Sequence, residues 1–124
     1  MFDPLRIHHP HDPYARAGLR RRLQREDGGW AQTPYLPTDA YATGQSLYTL
    51  HELGQPVNTR GIQYLVQTQA PDGSWHVVSR TPKFQPYFES GFPYAGDQWI
   101  SSAGTAWATM ALAYNVRPQQ IAHR

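Results

Sequence analysis

The feature that most narrows the choice of fold is a spaced triplet that the chain writes twice. Gln24, Gly28 and Trp30 recur as Gln69, Gly73 and Trp75, each 45 residues further on, so the spacing Gln-x-x-x-Gly-x-Trp is kept intact. An aspartate, Asp27 or Asp72, precedes each glycine, as turn chemistry prefers. Self-similarity at such a period marks repeated supersecondary units that bury their apolar faces against one another.

The segments around the triplets carry helix signals. Tyr14 to Gln24 forms a first helix, with Asp12 as N-cap and Pro13 in the first turn. Thr38 or Asp39 caps a second that runs to about Leu53, where Gly54 and Pro56 end it. The third starts at Asn58 or Thr59 and sets Ile62, Leu65, Val66 and Gln69 at i, i+3, i+4 and i+7. The fourth carries Ile100, Ala103, Trp107, Met110 or Ala111, and Tyr114 on the same period. Strand alternation is sustained nowhere.

Aligning Gly44 with Gly104 superposes Thr43 on Ala103, Leu47 on Trp107 and Leu50 on Met110. On that alignment the second unit holds about 15 extra residues, within "VSRTPKFQPYFESGFPYAGD". Small residues gather in the second and fourth helices (Ala40, Ala42, Gly44, Ser46; Ser101, Ala103, Gly104, Ala106). Glycine inside a helix costs about 0.5–1 kcal/mol relative to alanine, so its use there points to the close approach of a neighbouring backbone. The expected fold class is all-α: two antiparallel helical hairpins over residues 13–116, with 1–12 a flexible N-terminal segment and 117–124 a tail.

Each part of the triplet has a physical task. A glutamine at a helix end can donate its amide hydrogens to orphan carbonyls or to a neighbouring helix's end. Gly28 and Gly73 supply the positive φ for chain reversal. Trp30 and Trp75 lay a large flat face back over the turn. The element is therefore a clasp between helices, and no chemistry is needed to explain it.

Composition removes several function classes. With no cysteine, disulfide frameworks, thiolate zinc sites and cysteine nucleophiles are excluded. The formal charge of +2 rests on a run, Arg16 to Arg25, whose five arginines sit among apolar positions. That pattern does not match a nucleic-acid surface. No apolar stretch is long enough for a signal peptide or a membrane span, so a soluble chain, cytoplasmic by default, is expected. His8, His9 and His11 with Asp12 offer adventitious metal binding only, and His51 and His76 have no partner at ligand spacing. No metal or cofactor is expected.

The segment "RGIQYLVQTQAPDGSW", Arg60 to Trp75, resembles the QW motif of the triterpene cyclases through Arg60, Gly61, Tyr64, Leu65, Gln69, Gly73 and Trp75. The first copy keeps only Gln24, Gly28 and Trp30. "ESGFPYAGDQW" is similar to the Gly-Phe-Pro segment of the squalene-hopene cyclase C-terminal domain, here Gly91, Phe92 and Pro93. The resemblance covers about Ala15 to Tyr114. It implies the α/α toroid shared with the β subunits of protein prenyltransferases. In that fold about six hairpins close a ring around a central cavity. Two hairpins then make an arc: a truncated member, a piece of a longer reading frame, or a protomer that needs further repeats or self-assembly to close.

The same resemblance places the cyclase proton donor, an Asp-x-Asp-Asp motif, at "DAYA". Asp39 matches its first aspartate, Tyr41 and Ala42 stand where the others belong, and Thr43 fits the threonine that often follows. Protonating an alkene needs a strong acid in a dry pocket, so without that aspartate autonomous cyclisation is not expected. The prenyltransferase zinc set needs a cysteine and is absent. What remains is the aromatic insertion, Phe84, Tyr87, Phe88, Phe92, Tyr94 and Trp99, with Tyr41, Tyr87, Phe88, Phe92, Trp99 and Trp107 as a pocket for an apolar, isoprenoid-like or other small ligand and Asp39, Glu89 and Asp97 as the candidate acids. The reading that follows is a binding or structural module. Its alternative is the C-terminal part of an active terpene cyclase, an isomerase, or of another toroid enzyme such as a polysaccharide lyase or glycosidase. Asp39 and Asp97 each stand at a helix start, where N-capping accounts for them as well.

Overall fold

The computed structural model describes residues 12–80 and 90–115. The histidines His8, His9 and His11, the insertion residues Phe84, Tyr87, Phe88 and Glu89, and most of both expected terminal segments lie outside the described residues. The chain is mostly helical: α1 (Pro13–Arg22), α2 (Ala40–Glu52), α3 (Thr59–Thr68) and α4 (Gln98–Asn115), the last preceded by a short 3-10 turn, Ala95–Asp97. One feature departs from an all-helical reading. Two-residue strands β1 (Trp30–Ala31) and β2 (Thr38–Asp39) pair antiparallel, Trp30 opposite Asp39. The ladder forms because the chain leaving the first clasp doubles back along the residues that open α2.

The helix starts follow from their caps. Asp12 accepts from the Tyr14 amide at 2.9 Å, Asp39 from Ala42 at 2.7 Å and Asn58 from Gly61 at 2.9 Å, each satisfying an N–H that the helix itself cannot. Gly54, at φ 71°, takes the left-handed turn that ends α2. Gln24 and Gln69 fall just beyond α1 and α3, not in their last turns, because the reversal has already begun at Gln69, in extended backbone.

α2 and α4 form the most extensive helix pair. Tyr41 lies beside Gly104, Gly44 against Trp107 and Ala108, Tyr48 edge-on to Trp107, and His51 against Tyr114. Both numbers rise together, so the two helices run parallel. Gly61 meets Leu47 while Tyr64 comes near Gly29, which itself touches Thr43; there the numbers run in opposite senses, so α3 is antiparallel to α2. The small residues are explained by this crossing: a Cβ on Gly44 would stand 2.6 Å from the Trp107 carbonyl carbon and 2.7 Å from the Ala108 nitrogen.

The core gathers Trp30, Leu47, Leu50, Leu65, Trp75, Val77, Ala108 and Ala111 around that pair. Its stripe on α4 is Ser101, Gly104, Ala108 and Ala111; of the expected period, Ile100, Ala103, Trp107, Met110 or Ala111, and Tyr114, Ala111 lies on it, Ile100, Ala103 and Trp107 are half-buried, and Met110 and Tyr114 are exposed. The backbone of α2 is too close for large side chains, which are displaced to the flanks. Val66, placed on the apolar face of α3 by periodicity, is likewise exposed.

Candidate functional site

The two clasps repeat bond for bond. Gln24 Nε2 donates to the Gly28 carbonyl at 2.8 Å, and Gln69 Nε2 to Gly73 at 2.9 Å. The Trp30 indole N–H donates to the Arg20 carbonyl at 2.8 Å, that of Trp75 to Leu65 at 2.9 Å. Asp27 accepts from the Gly29 amide and Asp72 from the Ser74 amide, both at 3.0 Å. The backbone closes each turn alike: Arg25 N to Gly29 O at 2.9 Å and Ala70 N to Ser74 O at 2.8 Å. Gly28 and Gly73 adopt φ of 93° and 90°.

One further bond joins each clasp to the following helix and corrects the alignment. The Trp30 amide donates to Thr43 Oγ1 at 2.9 Å, and the Trp75 amide to Thr105 Oγ1 at 3.0 Å. The threonines follow their tryptophans by 13 and 30 residues, so the second unit is longer by 17 residues. Thr43 matches Thr105, not Ala103, and Asp39 matches Ser101. Pairing the two glycines slides the helices by two positions, because they are not equivalents: Gly44 meets the backbone of α4 at Trp107 and Ala108, and Gly104 meets Val77 and α2 at Tyr41.

The clasps differ in what covers them. Asn58, at the start of α3, exchanges two hydrogen bonds with Gln24, at 2.9 and 3.1 Å. Arg60 reaches the carbonyls of Arg25 and Glu26 at 3.1 and 2.8 Å. α1 is thus tied to the head of α3, and the arginine of one triplet region stabilises the turn of the other. A Cβ on Gly28 would stand 2.4 Å from the Arg60 carbonyl oxygen, whereas one on Gly73 would meet, among the described residues, only Gln69 Nε2, at 3.9 Å. Gly73→Ala is therefore expected to cost about 1–2 kcal/mol from the positive φ alone. Gly28→Ala adds roughly 1–3 kcal/mol of overpacking against fixed backbone. Denaturant titration of the two variants checks the difference, and equal losses would reject the contact with Arg60.

Three of the five arginines of the basic run are engaged by hydrogen bonds as well. Arg20 bonds Ser46 Oγ at 3.3 Å, Arg21 bonds Gln55 Oε1, and Arg25 bonds the Pro34 carbonyl at 3.1 Å.

The candidate acids have structural tasks. Asp39 caps α2 through Oδ1 and accepts from Gln32 Nε2 through Oδ2 at 2.7 Å. Asp97 lies in the 3-10 turn; its Oδ1 accepts from the Ser79 amide at 2.9 Å and its Oδ2 sits 2.8 Å from His76 Nε2. His76, for which sequence spacing offers no partner, therefore has one. Its ring stacks on Tyr94 at a centroid distance of 4.5 Å and an interplanar angle of 2°. The Tyr94 hydroxyl bonds Ser74 Oγ, which bonds Asp72. Tyr94 and Ala95 both adopt positive φ, 83° and 47°, a conformation that costs a non-glycine residue on the order of 1–3 kcal/mol and persists only when neighbours hold it. The far end of the insertion is thus pinned to the second clasp. Ser74 takes the place of Gly29, and its hydroxyl makes the junction.

The hydroxyl and amide of Ser74 hold the Asp72 carboxyl below the usual carboxylate range. Tyr64 moves the other way: burial, then the carboxylates of Asp27 and Asp39, push its phenol to about 12. A raised phenol favours the folded state fully below the unfolded value of about 10, and that contribution is lost as the pH rises through about 12. Ultraviolet titration is expected to show one tyrosine ionising late, with unfolding over the same window, and Tyr64→Phe to abolish that step. An unchanged profile in the variant would contradict the assignment.

Of the aromatics expected to line a pocket, Trp107 packs edge-on to Tyr48 at 5.6 Å and Phe92 lies 6.4 Å from Tyr94. Tyr41 is half-buried against the core, and Trp99 is 63 % exposed. Among the described residues, no three histidines, aspartates or glutamates converge as metal ligands, and no helix is long and apolar enough to cross a membrane. No protein-family model, curated protein or solved structure matches the chain.

Proposed function

We propose that the chain is an arc of an α/α toroid of the squalene-cyclase-like kind, acting as a binding or structural module without a cyclisation acid of its own. The observation that carries this reading is the clasp itself, made twice with the same bonds and tied to a parallel pair, α2 and α4, each preceded by a shorter helix. The missing acid supports the non-catalytic half. Both oxygens of Asp39 are engaged, by Ala42 and by Gln32, and Tyr41 and Ala42 follow it. Incubation with dispersed squalene is expected to quench tryptophan fluorescence and to yield no cyclic product. A product that disappears in Asp39→Asn would overturn the reading.

A second reading has one observation in its favour. The carboxylate of Asp97 orients a half-exposed imidazole, His76, beside a backbone held in left-handed geometry. Such a pairing can move a proton and suits the acid–base step of a polysaccharide-cleaving toroid enzyme. Polysaccharide cleavage lost in His76→Gln would favour it; no cleavage by the native chain would dismiss it.

A further inference from the structure

We propose that the end face of the second unit is a docking surface for one more hairpin of the same repeat. That hairpin's first helix would open with an asparagine N-cap, an arginine two residues on, and then a glycine. The inference deepens the arc reading and rests on it.

Inside the chain, the first unit presents two features to the second. One is the clasp edge: Gln24, which meets Asn58, and the carbonyls of Arg25 and Glu26, which meet Arg60. The other is the α2 face of Tyr41, Gly44, Tyr48 and His51, on which α4 lies. The second unit carries the counterpart of each. Gln69 is exposed and, among the described residues, bonds only its own Gly73. The Gly73 surface, whose counterpart at Gly28 is covered by Arg60, is open among the described residues. In the register set by Thr43 and Thr105, the counterpart of the covered α2 face is Ala103, Ala106, Met110 and Ala113, and the last three are exposed. Clasp edge and helix face thus continue the internal interface on the far side. Among the described residues, each lacks the partner that its twin has.

The occupant is not a second copy of this chain. α1 opens Asp12, Pro13, Tyr14, Ala15 where α3 opens Asn58, Thr59, Arg60, Gly61. Tyr14 has no guanidinium to span two carbonyls, and the Asp12 carboxylate has no N–H for Gln69 Oε1. α2 would also present Gln45, Thr49 and Glu52 where α4 presents Trp107, Ala111 and Tyr114, polar groups against an alanine and methionine face.

The probe is the full chain extended at its C-terminus by a duplicate of residues 54–115. Gln69→Ala is expected to lower the melting midpoint of the extended chain by about 4 °C more than that of the parent, since both lose the clasp bond to Gly73 and only the former loses bonds across an interface. Equal shifts in both would overturn the proposal. Should the extended chain not fold, a peptide of residues 55–69 is titrated into the isotope-labelled parent. The Gln69 side-chain amide signals are expected to move with it and not with its Arg60→Ala form, since it carries only the helix that meets the clasp edge; no movement counts against the proposal. A concentration-dependent dimer of the parent, abolished by Met110→Glu, would assign the face to a second copy and refute the occupant named here. Arg60→Ala in the parent separates the two levels. If it leaves stability unchanged, the arc reading itself fails. If it destabilises while Gln69→Ala shifts both chains equally, only this inference fails.

Discussion

Replacing Trp30 by alanine is expected to remove most of the folded population. Its ring is 1 % exposed, and truncating a buried tryptophan costs about 3–5 kcal/mol in transfer and cavity terms. The substitution also leaves the Arg20 carbonyl without the indole N–H that it accepts. A domain of this size has only about 5–15 kcal/mol to lose, with short chains at the lower end. Trp75→Ala should behave alike, since its ring is 2 % exposed and bonds Leu65 in the same way. Trp99→Ala, at a 63 % exposed ring, should stay within about 0.5 kcal/mol. Guanidinium unfolding followed by circular dichroism ranks the three; a Trp30→Ala loss below about 1 kcal/mol would mean that the clasp is ornamental.

The second large effect is expected at Gly44. A valine there must place its Cβ within 2.6–2.7 Å of backbone atoms of Trp107 and Ala108. Neither atom can swing aside as a side-chain end would, so α2 and α4 must separate. The expected cost is about 3 kcal/mol, the upper part of the usual range for overpacking. Gly18 is the control, because a Cβ there would meet nothing within 4 Å among the described residues. Gly18→Ala should stabilise α1 by about 0.5–1 kcal/mol through helix propensity. If Gly44→Val were as harmless as Gly18→Ala, the parallel packing of α2 on α4 would be wrong.

Much of the fold was legible because it is written in local chemistry. Asp12, Asp39 and Asn58 announce three helix starts and each caps as expected. Gly54 and Pro56 mark the end of α2, and the triplets mark the two reversals. What sequence could not reveal depends on distant groups. Pairing Gly44 with Gly104 looked natural, yet the hydroxyls of Thr43 and Thr105 set the register, and a hydroxyl's partner is invisible without the fold. The apolar period of α4 left Met110 and Ala111 as alternatives, and tertiary packing selected the small one together with Ser101, Gly104 and Ala108. His76 and Asp97 lie 21 residues apart, so no spacing rule links them; the best available signal was that both flank the insertion. Asp39 was legible as a cap, and its bond to Gln32 was not.

The central claim is that one clasp is built twice, with each tryptophan held by an indole bond to the preceding helix and an amide bond to a threonine of the following one. Hydrogen exchange of the indole N–H groups, followed by nuclear magnetic resonance on the isotope-labelled chain, tests it most directly. The Trp30 and Trp75 indoles should exchange far more slowly than that of Trp99, and Thr43→Val should deprotect Trp30 before Trp75. Indoles that all exchange at one rate, or a Thr43→Val variant that leaves Trp30 as protected as before, would contradict it.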